Sequence, residues 1–238
     1  MTSRIRLLGI ALVIGGLLFV GAGGFTFVKT QEGIDSLKAF SAEQNVKLSY
    51  DDKGVLNGED PEEAAGIMAL LADDWKYPVV ASDLDPNDPI VNTATEYMYQ
   101  MATISFHVLE GTQTVVFKED VEAANGDIIP AGTYEFKVDG RYYADFGRAD
   151  PIEAAARGQA WSPTALGLIG QLGVGTTTAS ALQLALAMAG LLAGIGLAVI
   201  FTGLGLVWVS AARLPVPAES VSTAPVIGTG AVPAPVTR

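Results

Sequence analysis

Hydrophobic and polar positions divide this chain into three zones. Leu7–Val28 runs 22 residues without a charge, and Gly158–Ala212 runs 55. Crossing the roughly 30 Å hydrocarbon core of a bilayer takes about 20 apolar helical residues, and both stretches exceed that. The pattern predicts a membrane protein with two transmembrane helices, at 7–28 and 184–209. They bracket a small extracytoplasmic α+β domain with a mostly antiparallel sheet at 29–160. Residues 1–6 form a short N-terminal segment. Residues 161–183 are an apolar approach to the second span, interrupted by Gln171, Gly173, Gly175 and Thr176–Thr178. Residues 210–238 carry five prolines from Pro215 to Pro235 and no aromatic ring, which predicts an extended, disordered tail.

Within the central zone the periodicity is mixed. Gln31–Gln44 reads as a polar helix leaving the membrane, with Ile34, Leu37 and Phe40 on one side. Val46, Leu48 and Tyr50 alternate like a strand, and Asp51–Gly54 reads as a turn. Asp60-Pro61-Glu62-Glu63 and Asp150-Pro151-Ile152-Glu153 are helix starts, because aspartate caps free N–H groups and proline suits the first helical position. Asn92–Leu109 predicts a further helix that stops at Gly111. Gln113–Phe146 is rich in β-branched and aromatic residues, and Asn125-Gly126, Ala131-Gly132 and Asp139-Gly140 punctuate it as hairpin turns would. The helix starting at Asp150 is expected to rest the domain on the membrane.

Charge sharpens this map. The segment 29–157 carries 10 Lys+Arg and 25 Asp+Glu, a net −15, within a chain whose net charge is −12. Arg4, Arg6 and Arg213 flank the outer ends of the spans. Basic residues near span ends tend to stay cytoplasmic, so both termini are expected in the cytoplasm and the central domain outside the plasma membrane. Trp208 and Arg213 are expected at the membrane interface, as are Arg4 and Arg6. A cleaved signal peptide also begins basic and then apolar. Its apolar core is usually about 7–15 residues, and the longer run here favours a retained anchor.

Neither span contains an ionisable side chain, which argues against a pump, a proton-coupled transporter or a channel formed by one copy. Both contain glycine. Gly9, Gly16 and Gly23 recur every seven residues, and Gly190 and Gly194 form a GxxxG. Small residues let helix backbones approach closely in lipid, so these five positions are expected to pack helices together.

Candidate chemistry is sparse. The chain has no cysteine and one histidine, His107. Cysteine nucleophiles and a lipoprotein anchor are excluded, and the usual zinc and two-histidine iron sites lack ligands. His107 sits in ISFHVLEG without a nucleophile-elbow pattern, and a histidine bonded to backbone is the expected reading. Ser82–Pro89 concentrates three aspartates, but Pro86, Asp88 and Ala94 break the calcium-loop pattern. No phosphate-binding or dinucleotide fingerprint is present. An acidic exterior offers no basic stripe for nucleic acid. No cofactor or metal is expected.

The segments Arg4–Gly24, Asp150–Arg157 (DPIEAAAR) and Ala181–Val209 together resemble a family of uncharacterised actinobacterial two-pass envelope proteins. The resemblance is compositional and covers a quarter to a third of the chain. It implies an N-terminal anchor, an exterior domain and a short cytoplasmic tail. Members are often labelled aromatic ring-opening dioxygenases, which implies metal ligands that one histidine does not supply, so no activity is carried over. The expected function is non-enzymatic: an accessory, scaffold or interaction subunit of the cell envelope. Its expected partners are the lipid bilayer and another envelope membrane protein or a second copy. The alternative is an anchored exterior enzyme or a small-ligand or cation receptor using carboxylates and His107.

Overall fold

The computed structural model describes residues 2–57 and 60–212. Arg213 and the proline-rich tail lie outside the described residues. Two long helices dominate: α1 (Thr2–Gln44) and α5 (Pro163–Ala211). Both are long and apolar enough to cross a membrane. At 1.5 Å per residue they extend about 65 and 73 Å, more than twice a bilayer's hydrocarbon core.

α1 is one unbroken helix, so the apolar run and the polar Gln31–Gln44 segment are continuous. It ends at Asn45, whose positive φ of 52° suits a residue tolerant of the left-handed region. The Asn45 N–H donates back to the Ser41 carbonyl at 2.9 Å. α5 starts where Ser162 accepts a hydrogen bond from the Ala165 N–H and Pro163 occupies the first turn. It too is unbroken. The threonine run that interrupts its apolar pattern is absorbed because Thr176 and Thr177 donate their hydroxyls to the carbonyls of Leu172 and Gly173. The approach segment and the second predicted span are therefore one helix.

Between these helices the chain builds a small head. α2 (Pro61–Ala69) is capped by Asp60, continues through a π-helical turn (Leu70–Asp74), and packs on α3 (Ala94–Glu110). α3 begins with a full capping box: Thr93 accepts from the Glu96 N–H, and the Glu96 carboxylate accepts from the Thr93 N–H. It ends at Gly111. β1 (Thr112–Phe117) pairs antiparallel with β4 (Gly132–Lys137), from Thr112↔Lys137 to Phe117↔Gly132. β2 (Val121–Glu122) and β3 (Ile128–Ile129) form a short nested hairpin around the Asn125-Gly126 turn, where Gly126 has φ 87°. α4 (Pro151–Ala160), capped by Asp150, covers the β1–β4 pair.

The expected antiparallel pairing is present, as two separate two-stranded pairs. Two expectations are corrected. The alternating Val46–Tyr50 segment forms only isolated bridges, Lys47↔Ile90 and Tyr50↔Leu56, because no long strand lies beside it. Ala131-Gly132 starts β4 rather than turning a hairpin, with the Ala131 N–H held by the Asp120 carboxylate. α4 joins the N-terminal end of α5, 21 residues before Leu184, which is about 30 Å along the helix axis.

The head's core is made of large side chains: Ile67, Leu71, Val115 and Val138 are almost wholly buried, with Leu109, Phe146 and Trp161 around them. It extends onto the upper part of α5 through Ile169, Leu172 and Ala179.

Candidate functional site

The longest built feature is the seam between α1 and α5. Gly9 lies against Gly203, Gly16 against Gly196, and Gly23 against Ala189 and Ala193. A Cβ added at Gly16 would stand 2.6 Å from the Gly196 carbonyl oxygen, and one at Gly196 would stand 2.7 Å from the Gly16 carbonyl. The same reciprocity holds for Gly9 and Gly203. A hydrogen occupies each of those places, so the glycines present Cα–H groups to carbonyls across the seam. Packing this close requires the absence of a side chain.

The register is regular. Positions 9, 16, 23 and 30 on α1 step by seven, and so do 203, 196 and 189 on α5, running in the opposite direction. All seven are buried, although most neighbouring positions are exposed. A seven-residue repeat keeps two helices in contact by a left-handed supercoil. In the same register Val28 comes level with Leu184, so the two stretches predicted as spans lie side by side. The other two expected packing positions, Gly190 and Gly194, have open space around them in this chain and do not face α1. On α5 the repeat that packs is Ala189, Gly196 and Gly203, whose seven-residue spacing is present in the sequence. Arg4 and Arg6 are exposed, and Trp208 is 74% exposed.

Above this section the seam admits side chains and joins the head. Gly33 meets Leu182, and Gly175 meets the Tyr97 ring of α3. The Tyr97 hydroxyl and the Ser41 hydroxyl share a buried hydrogen bond of 2.8 Å, tying α3 to α1. Beside this bond lies a groove of about 610 Å³ between α1, α3 and α5. Leu37, Phe40, Ile104, Leu168, Leu172 and Val174 supply its apolar walls, and Gln44, Gln100 and Gln171 supply neutral amides. Among the described residues no charged side chain lines it. Sequence reasoning did not find it, because its walls come from three distant helices. Phe40, Val46, Leu168 and Val174 are exposed apolar residues at its rim.

His107 lies elsewhere, on α3, with 52% of its side chain exposed. Its Nδ1 donates to the Thr103 carbonyl at 2.8 Å, since a carbonyl can only accept. Its Nε2 stands 2.7 Å from Glu63 on α2. The ring therefore clamps two helices, and it lines neither this groove nor the smaller one near Asp127 and Asp150. Among the described residues no group of three or more His, Asp or Glu side chains is placed to hold a metal ion. In the aspartate-rich loop, Asp85 accepts hydrogen bonds from the Asn87 N–H and side-chain amide. That is an Asx-turn.

The perturbed groups lie at the base of α3. Glu96 is 1% exposed, and burial raises its carboxyl above the ordinary value of 4.5, against the lowering effect of the Asn92 and Thr93 N–H bonds. Burial likewise pushes the Tyr50 and Tyr99 hydroxyls up to about 12, with Glu96 adding to the first and Glu63 to the second. These are structural groups packed in the head core.

No protein-family model, curated protein or solved structure matches the chain.

Proposed function

We propose that the chain is a two-pass membrane protein whose helical hairpin holds an acidic head at a fixed height outside the plasma membrane. In this reading it is a non-enzymatic accessory or interaction subunit of the cell envelope, with both termini cytoplasmic. The observation that carries the proposal is the unbroken α1–α5 seam. The same two helices that supply the charge-free sections at 7–28 and 184–209 also supply part of the head's core. An anchor needing only attachment could end in a flexible linker. Here both helices run unbroken into the head, which supports a role that depends on where the head sits. Arg4 and Arg6 before the first span and Arg213 after the second support the orientation, because basic residues near span ends tend to stay cytoplasmic. The engagement of both His107 ring nitrogens supports a structural role for that residue.

Co-purification of the full chain from a mild detergent, after cross-linking in intact cells, tests the proposal. A reproducible partner or homo-oligomer is expected. A chain that always runs alone as a monomer removes the interaction role. Release by alkaline carbonate washing would remove the anchor.

A further inference from the structure

The groove above the seam has a composition at odds with its surroundings. One side of it is built from the segment 29–157, whose net charge is −15, yet none of its lining residues is charged. Its polar groups are neutral, and the one buried hydroxyl pair, Ser41 with Tyr97, is already satisfied. Three glutamines remain at the groove with donors and acceptors. A site of this kind disfavours an ion and suits an apolar body with a neutral, hydrogen-bonding end.

The groove is also continuous with the section of α5 that suits a membrane. From Val174 the exposed residues Thr177, Ala181, Leu184, Met188 and Leu191 follow at helical spacing, and α5 has no charged residue along its length. Thr177 turns its hydroxyl inward to the Gly173 carbonyl, leaving its methyl for the surface. Val174 lies about 15 Å along the axis from Leu184. That is about half the hydrocarbon core, the depth that one of two opposed lipid chains fills.

We infer that the groove holds one hydrocarbon chain of a lipid with no net charge, drawn along the uncharged face of α5 from the surrounding bilayer. The volume of about 610 Å³ is that of a site for a whole small ligand, within the usual range of roughly 300–1,000 Å³. A protein partner would need about 800 Å² of surface on each side, and the charged residues around the groove would then have to be matched. The inference rests on the membrane-anchored reading above, and its test separates the two.

The full chain is reconstituted in phosphatidylcholine vesicles containing a phosphatidylcholine with a photoactivatable group at its chain end, and the cross-linked positions are mapped by mass spectrometry. Two clusters of label are expected: the spans, at 7–28 and 184–209, and the groove, at Leu37–Gln44 and Leu168–Thr178. Val174 is 67% exposed, so Val174→Asp interrupts the path without disturbing the core. It should cut groove labelling at least five-fold and leave span labelling and thermal unfolding unchanged, while Val174→Leu retains both clusters. An anionic phosphatidylglycerol probe should label the spans equally and the groove several-fold less. Labelled spans with a groove no more labelled than the rest of the head would overturn the inference and leave the anchor standing. So would groove labelling indifferent to Val174→Asp or to lipid charge, or a co-purified protein cross-linked into the groove. Unlabelled spans would overturn the anchor itself.

Discussion

The seam and the head are stabilised by opposite means. In the seam, Gly9, Gly16, Gly196 and Gly203 bring backbone against backbone, so its order depends on side chains being absent. In the head, Ile67 and Leu71 are 0% exposed, and order depends on large side chains being present. The first arrangement suits a setting where lipid tails are as apolar as any side chain, so close packing and not burial from water favours association. The second suits water, where each buried apolar group adds to stability. The two meet along α1 and α5, which belong to both.

Adding bulk to the seam should have the largest effect. Gly16→Leu puts a side chain where a carbonyl and the Ile200 side chain already stand within 2.6 Å. A backbone carbonyl cannot swing away as a flexible side chain can. Overpacking in a well-packed site costs about 1–3 kcal/mol, and here the upper end or beyond is expected. The helices should separate by several Å between spin labels introduced at the exposed positions Leu18 and Leu197 of this cysteine-free chain. Gly190→Leu and Gly194→Leu should leave that distance unchanged, because a Cβ added at either glycine meets nothing within 4 Å outside its own helical backbone. A hairpin that tolerates Gly16→Leu, or opens with Gly190→Leu, would mean the register is wrong.

Removing bulk is the matching test in the head. Leu71→Ala should destabilise it by about 2–5 kcal/mol, through lost burial and the cavity left behind. Near-UV circular dichroism should report an earlier loss of aromatic packing, with the spin-label distance in the lower seam intact. Equal sensitivity of both regions to both changes would dissolve the distinction.

Much of this division was legible in the sequence, and the failures have physical causes. Apolar length is a local property, so two helices long enough to cross a membrane could be read directly, while the continuity of the second from Pro163 could not. Caps are local, so Asp60, Asp150 and Gly111 could be read in place. The Val46–Tyr50 alternation has a strand's period but no strand partner, and pairing is a long-range property that alternation cannot show. Gly190 and Gly194 satisfy a four-residue motif for close helix approach, while the hairpin uses a seven-residue repeat that needs both helices in view. The groove was illegible because it depends on the angle at which α3 meets the hairpin.

The junction between the regions should show intermediate effects. Gly175 faces the Tyr97 ring, whose nearest atoms would stand 2.7 Å from an added Cβ. A ring can shift where a carbonyl cannot, so Gly175→Ala should cost less than Gly16→Leu, on the order of 1–2 kcal/mol. Tyr97→Phe removes the bond to Ser41 and leaves that hydroxyl buried, for about 1 kcal/mol. Both should lower the thermal midpoint of the head. If Tyr97→Phe instead separates the lower seam, then the seam depends on the head, and the two regions are one cooperative unit.

The smallest effect concerns a charge held where the head excludes water. Glu96 closes the capping box of α3 while 1% exposed, and burial raises its folded pKa above 4.5. A raised folded pKa means that the native state binds the proton more tightly than the unfolded chain. The stability this contributes is complete below about 4.5 and is lost as pH rises through the folded value. Glutamine keeps an oxygen to accept the Asn92 and Thr93 N–H bonds and cannot ionise. Wild type should therefore be most stable relative to Glu96→Gln at low pH, and the difference should fall as pH rises toward 7. Denaturant midpoints of the two proteins, taken in parallel from pH 4 to 7, measure this difference with the other carboxylates cancelling. A difference that grows with pH would show that the cap's hydrogen bonds outweigh burial, and the head would then tolerate a charge in its core as the lower seam tolerates none.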